Sequence, residues 1–410
     1  MRLDHDVVCF GKIPEHGDFV RYNADGATAR EFDTWFREGL HASRSRLGRS
    51  LKSIARKAGP QRFVYCPTTA PVLLFGVMQM SEDATGRTYP FVVATEVPRT
   101  EWSGLSMAHL PVSSVSFLDS AEALVEDAVA GNVTRSSLKD RLLDVDPRKV
   151  GSDAVGEHEA VRFLDLMTFK GLVEGIWGSF EDSRKYFLFK NLSDALAPLR
   201  GQIPARFSLG LRFPIAPFSV LNDVEGALLL RDTPAEVIVG FWFRVVHALA
   251  DLQNVAPSFF WQAWSSPMPQ EKPRVADEAS PDSRTSGGSP NRAEHARSET
   301  DRKFWIRSYR RSNGQRGLAA SAPSSNNRAI SDALPDEEHD PELLYFFRPP
   351  PPNAFTELLP VDQIETNICK LEASSGEKAA RVALSIPRTT GEALESETAS
   401  LLDVIDAVRD

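Results

Sequence analysis

Apolar residues recur at intervals of three and four through Phe32, Trp35, Phe36, Leu40 and Leu47, which predicts a helix whose wet side is marked by Arg30, Arg37, Arg44 and Arg46. Thr28 with Glu31 has the spacing of a capping box, in which each side chain satisfies a backbone N–H at the other's end. Ahead of this helix, Val7–Phe10 reads as a short strand. Behind it, Pro71–Met80 and Tyr89–Val97 are strong strand signals, and the polar Ser81–Arg87 stretch between them predicts a hairpin. Ser116–Ala130 is amphipathic on Phe117, Ala121, Leu124, Val125 and Ala128, hence helical, and Glu157–Gly175 reads as a further helix. Tyr186–Lys190 and Phe207–Phe213 read as strands, with Pro214 and Pro217 ending the pairing. Ala235–Leu252 is apolar nearly all round, as a helix buried on most faces would be, and Pro257–Trp264 reads as a buried strand.

The pattern then breaks. Residues 266–301 are Pro, Ser, Gly and charge with little to bury, the composition of a disordered segment. Strand character returns over Lys303–Tyr309, fades over 312–333, and returns over Leu343–Phe347. Pro349–Pro352 is a stiff polyproline stop, followed by a helical turn or two at Asn353–Leu359. Strands and helices interleave irregularly, so the expected fold is α/β: a mixed β-sheet flanked by helices in a layered sandwich, with disordered insertions and a weakly structured C-terminal tail. The expected organisation is one domain over 1–265, a disordered insertion over 266–301, and final strands and a closing helix of the same domain over 302–360. A polar insertion sits near 312–333, and 361–410 is a tail of no evident role, with Leu401, Leu402, Ile405 and Val408 spaced for a short terminal helix.

Composition narrows the function. With 410 residues, 42% of them hydrophobic, the chain has ample material for a core. A net charge of −9 gives no positive field for nucleic acid. Cys9, Cys66 and Cys369 are scattered, as befits reduced thiols in the cytosol. No basic start followed by a long apolar run occupies residues 1–30, and no stretch approaches the roughly 20 apolar residues that span a bilayer, so a cytoplasmic protein without membrane insertion is expected.

The segment Cys9-Phe10-Gly11-Lys12-Ile13-Pro14-Glu15-His16-Gly17-Asp18-Phe19-Val20-Arg21 concentrates the chemistry. A strand enters a glycine-bracketed loop in which Gly permits unusual backbone angles and Pro fixes one, placing charged groups beside the core. These residues resemble the opening motif of the TagF family of type VI secretion accessory proteins: an aromatic, Gly-Lys-(Leu/Ile)-Pro, then Gly-Asp-Phe-Val and a nearby Arg. Further blocks are similar in the same order: the Phe32, Trp35 and Leu40 helix, Pro71–Val77, Gly86-Arg87-Thr88-Tyr89-Pro90-Phe91, Gly210–Ile215, Phe241-Trp242, Ser258–Trp261, Phe304-Trp305 and Pro352–Leu359. The insertions and the tail from 361 depart from the pattern. The resemblance implies an α/β sandwich without known enzymatic activity. It also implies post-translational repression of type VI secretion together with a forkhead-associated scaffold protein. Some relatives carry a fused PppA-type phosphatase; the tail here is too short for one and lacks the Asp-Gly pairs of its metal site.

Other chemistry is weakly supported by the residues. Lys12 follows Gly11, but the Gly-x-x-x-x-Gly-Lys-(Ser/Thr) phosphate-binding frame is absent. His16 and Asp18 have the residue types of an acid–base pair and would centre a hydrolase; the plainer reading is an Asp18 that accepts bonds within its own turn beside a solvated His16. A buried Asp18–Arg87 pair would tie the first loop to the hairpin. There is no His-x-x-x-His, no Cys-x-x-Cys and no Gly-x-Ser-x-Gly, and no cofactor or metal is expected. Trp242, Trp261 and Trp264 read as core. The basic run from Arg302 to Arg316, beside the acidic Asp336–Glu342, reads as a solvated face. The expectation is a non-enzymatic binding module whose partner face carries Lys12, His16, Asp18, Arg21 and Arg87. The rivals are a hydrolase and a passive adaptor.

Overall fold

Period-two burial along the strands and period-3.6 burial along the helices build one layered unit. The computed structural model describes residues 6–68, 70–102, 104–152, 157–200, 210–215, 219–224, 227–232, 235–251, 256–263, 342–360, 368–370 and 386–409. In chain order these give β1 Val7–Gly11, β2 Val20–Tyr22, α1 Ala27–Leu47, α2 Leu51–Lys57, β3 Gln61–Tyr65, β4 Val72–Glu82 and β5 Thr88–Pro98. Then come α3 Val115–Val129, α4 Arg135–Asp144, α5 Glu157–Leu166, α6 Phe169–Trp177 and α7 Arg184–Leu196. The chain continues through β6 Gly210–Pro214, β7 Ser219–Val224, β8 Ala227–Asp232, α8 Ala235–Ala250 and β9 Ser258–Trp261. It closes with β10 Glu342–Phe346, a 3₁₀ turn Pro352–Leu358, β11 Ile368–Lys370, α9 Arg388–Glu395 and α10 Leu401–Arg409.

Nine strands form one sheet in the order β11-β6-β10-β9-β3-β4-β5-β1-β2, and β7 pairs with β8 in a separate hairpin. The β11–β6 pairing is parallel and the other pairings of this sheet are antiparallel, so the sheet is mixed, as expected. Both faces are covered. Val7, Cys9, Phe75, Val77, Phe91 and Val93 point into one core with α3 to α10, while Val8, Phe10, Leu74, Met78, Val92 and Ala94 point into the other with α1, α2 and the 3₁₀ turn. A sheet buried on both faces needs near-continuous apolar strands, which is why β4 and β5 are so strongly written.

On the α1 side the core is aromatic. Phe32 packs within 4.3–6.5 Å, centroid to centroid, of Phe10, Trp35, Phe36, Phe63 and Tyr65, and Trp35 stacks on Phe260 at 5.5 Å. Burying each such ring stabilises the fold by about 2–3 kcal/mol. Gly39 of α1 admits Phe355: a Cβ there would lie 2.4 Å from the Phe355 Cβ.

Several local expectations are corrected. Thr28 and Glu31 form no capping box, because the helix begins at Ala27 with Gly26 as its cap. Thr28 instead donates to the Val72 carbonyl, and Glu31 accepts from Tyr65 and Thr68. Tyr186–Lys190 is helical, within α7; five residues suit either period, and the longer run Phe189, Leu192, Leu196 settles it. Glu157–Gly175 divides into α5 and α6 at Thr168, whose side chain caps α6 by accepting from Gly171 N at 3.2 Å. The tail is better structured than its thin patterning implied: the terminal helix is present as α10, and Leu394, Leu401 and Val404 are fully buried. Pro257–Trp264 and Ala235–Leu252 appear as β9 and α8, with Trp242 and Trp261 in the core. The insertions at 266–301 and 312–333, the Lys303–Tyr309 strand, the basic run and Trp264 lie outside the described residues. Among the described residues, no helix is long and apolar enough to cross a membrane.

Candidate functional site

Gly11 ends β1 with φ +134°, and a Cβ there would stand 2.1 Å from the Pro90 carbonyl oxygen, so the first loop leaves the sheet pressed against β5 as only glycine allows. Ile13 then anchors the loop in the core. The β4–β5 hairpin tip meets it through three ties. Ala84 N donates to the His16 carbonyl at 3.0 Å, Arg87 Nη2 donates to the Gly17 carbonyl at 2.6 Å, and Lys12 Nζ donates to Asp83 Oδ2 at 2.7 Å.

Asp83 is the hub. Its side chain is wholly buried and accepts five hydrogen bonds: from Lys12 Nζ, Arg87 Nε, Arg87 N, Thr85 N and Thr85 Oγ1, between 2.6 and 3.0 Å. Burial opposes ionisation, but the donors from Lys12, Thr85 and Arg87 outweigh it and hold the carboxyl well below the usual carboxylate range. Gly86, at φ +78°, lets the turn close round this carboxylate.

A second carboxylate stands beside it on α1. Asp33 is buried and accepts from Arg21 Nη2 at 3.0 Å, from Tyr89 Oη at 2.6 Å and from Arg37. Burial, then the Asp33 contact, pushes the Tyr89 phenol up. Arg21 also donates to the Ala24 carbonyl at 2.9 Å, closing the loop after β2. Between the two hubs lies Phe19. Its ring meets Tyr89 edge-on at 4.9 Å and lies 5.0 Å from Lys12 Nζ, yet it remains 43% exposed. The loop thus fixes a large aromatic at the surface on a rigid footing.

The five residues singled out from the sequence have different fates. Lys12 is buried, so its ammonium braces the loop from inside and is not offered to solvent. Asp18 is exposed and accepts from Phe19 N at 2.8 Å within its own turn. It does not pair with Arg87, which joins loop to hairpin through Asp83 and the Gly17 carbonyl instead. His16 Nε2 lies 3.2 Å from Arg135 Nη1, and since a guanidinium only donates, that nitrogen is the acceptor. Among the described residues, no hydrogen bond or ion pair joins His16 to Asp18. Arg21 and Arg87 are partly exposed while bound to Asp33 and Asp83. Sequence reading missed Asp83, Asp33, Tyr89, Phe19 and Arg135. Asp83-Ala84-Thr85-Gly86 is a legible turn signature, and Asp33 interrupts an apolar helix face; Arg135 carries no local signal.

Across the sheet, a third ionic cluster is architectural. Arg62 of β3 donates to Glu122 and Asp119 of α3 at 2.6 Å each and to Glu236 of α8 at 2.7 Å, and Trp261 Nε1 reaches Glu236 at 3.0 Å. Burial pushes the Glu122 carboxyl up against the pull of Arg62. Among the described residues, no group of three or more His, Cys, Asp or Glu side chains is placed to hold a metal ion.

The span from the first strand to the end of α4 matches a known family model: TagF N-terminal domain, type VI secretion system-associated, over residues 8–145. Residues 8–145 belong to the TagF N-terminal domain family. The loop, the hairpin tip, Asp33 and Arg135 all fall inside this TagF domain, whereas β6 to β11 and the last helices lie beyond the matched span. The chain is also similar to a solved structure described as the crystal structure of PA0076 from Pseudomonas aeruginosa PAO1. Identity is 16%, 63% of this chain and 83% of that chain are covered, and the TM-score is 0.34. No curated protein matches the chain.

Proposed function

We propose that this type VI secretion-associated chain is a non-enzymatic, cytoplasmic repressor that acts after translation by binding a scaffold such as a forkhead-associated domain protein. The observation that carries the reading is Phe19, an exposed aromatic held rigid by Tyr89, Lys12 and the Asp83 hub inside the TagF domain. A pre-ordered aromatic loses little entropy on binding, and such residues dominate interface energetics. Asp18, next to it in the loop, and the partly exposed Arg21 and Arg87, held by Asp33 and Asp83, supply the polar groups for a rim that sets register. His16 and Asp18, bonded to separate partners, do not favour a hydrolase.

Two measurements test this. Deleting the gene raises assembly of the secretion apparatus at constant transcript level, and affinity purification of the intact chain recovers the scaffold. Unchanged assembly in the deletion strain refutes repression; purification without the scaffold refutes the partner.

A further inference from the structure

Away from the first loop, α7, α8, α9 and α10 contribute to the lining of a partly open cavity of about 960 Å³. That is the upper end of the roughly 300–1,000 Å³ typical of small-molecule sites. Its lining includes the apolar side chains Leu105, Phe189, Leu249, Ile405 and Val408. It also includes the charged side chains Lys190, Arg200, Arg244 and Arg409, with Asp251 and Asp406. Lys190 is paired with Asp194, and Arg244 already meets His109 through Nη2 and Nε2; counted as charges, three guanidinium groups stand against two carboxylates in a chain of net charge −9. Arg200 and Arg409 are exposed and make no ion pair among the described residues. An inorganic anion would leave most of this volume and all of the apolar side chains unused. A neutral apolar molecule would leave Arg200 and Arg409 unused.

We propose that this cavity binds a single-chain amphiphile with an anionic head group, its chain on the apolar side chains and its head group on Arg200 and Arg409. Desolvating an acyl chain against such side chains supplies affinity, and guanidinium groups match phosphate or carboxylate oxygens in paired hydrogen bonds. The site is independent of the first loop and of the scaffold reading.

The test is calorimetric titration of the intact chain with dodecyl phosphate below its micelle concentration, with inorganic phosphate and neutral dodecyl maltoside as comparators. The expected result is saturable binding at one site, at least tenfold tighter than for dodecyl maltoside, with none detected for inorganic phosphate. Arg200→Glu/Arg409→Glu, which alters two exposed side chains, weakens binding at least tenfold with an unchanged circular dichroism spectrum. On the unaltered protein, added salt weakens binding by screening the head group. Absence of saturable binding, equal affinity for the neutral amphiphile, or indifference to salt overturns the proposal. Flotation with phosphatidylglycerol vesicles then separates the sources: co-flotation identifies a bilayer lipid, and binding of the monomer alone identifies a free amphiphile.

Discussion

Lys12 Nζ and Asp83 Oδ2 lie 2.7 Å apart with both side chains buried, joining the loop after β1 to the tip of the β4–β5 hairpin. A surface ion pair of this kind would be worth little, but in a buried pair the loss of one partner strands the other without water. The pair therefore sets the shape of the first loop.

Asp83→Asn is expected to destabilise the protein by about 3 kcal/mol at neutral pH, the cost of leaving a buried lysine uncompensated. Asp83 is held below its ordinary value in the folded state. Its stabilisation is therefore complete above the unfolded carboxyl value of about 3.9 and is lost as pH falls towards the folded one. Urea unfolding at a series of pH values checks this: the gap between wild type and variant stays constant from neutral pH down to about pH 5 and narrows below about pH 4.

Arg62→Leu removes the guanidinium shared by Asp119, Glu122 and Glu236. The expected loss is about 3–5 kcal/mol at neutral pH, because the largely buried Glu122 and Glu236 lose their counter-ion. Glu122 is already raised by burial, and ionising a raised carboxyl costs stability above its folded value and nothing below the unfolded value of about 4.3. The variant should thus regain stability as pH falls towards the unfolded carboxyl value of about 4.3, which thermal melts from neutral pH downwards will show.

Gly11→Ala brings a Cβ to 2.1 Å from the Pro90 carbonyl oxygen at φ +134°. Strain of this kind costs about 1–3 kcal/mol before the strand shifts to relieve it. Chemical denaturation should register that loss, and amide exchange should quicken at Ala84 as its bond to the His16 carbonyl loosens.

What the sequence disclosed follows from the range over which each signal acts. β4, β5, α1, α3 and α8 are long and strongly periodic, so their apolar spacing alone located them. β2 and β3 are short and draw their order from neighbours distant in sequence, β3 pairing with β4 and β9, so no local pattern announced them. The motif located the first loop but not its partners. Lys12 looked like a surface cation because its counter-ion, Asp83, lies 71 residues away. Phe19 stood in the motif without being singled out, whereas the fold leaves it at the surface between two carboxylate hubs.

The binding affinity of purified scaffold for wild type and for Phe19→Ala tests the account most directly. The side chain is partly exposed, so its loss should leave the melting temperature within a few degrees of wild type. If Phe19 is the anchor, affinity falls by about thirtyfold, the roughly 2 kcal/mol of an interface hot spot. Equal affinity in the two proteins would contradict the assignment of this face.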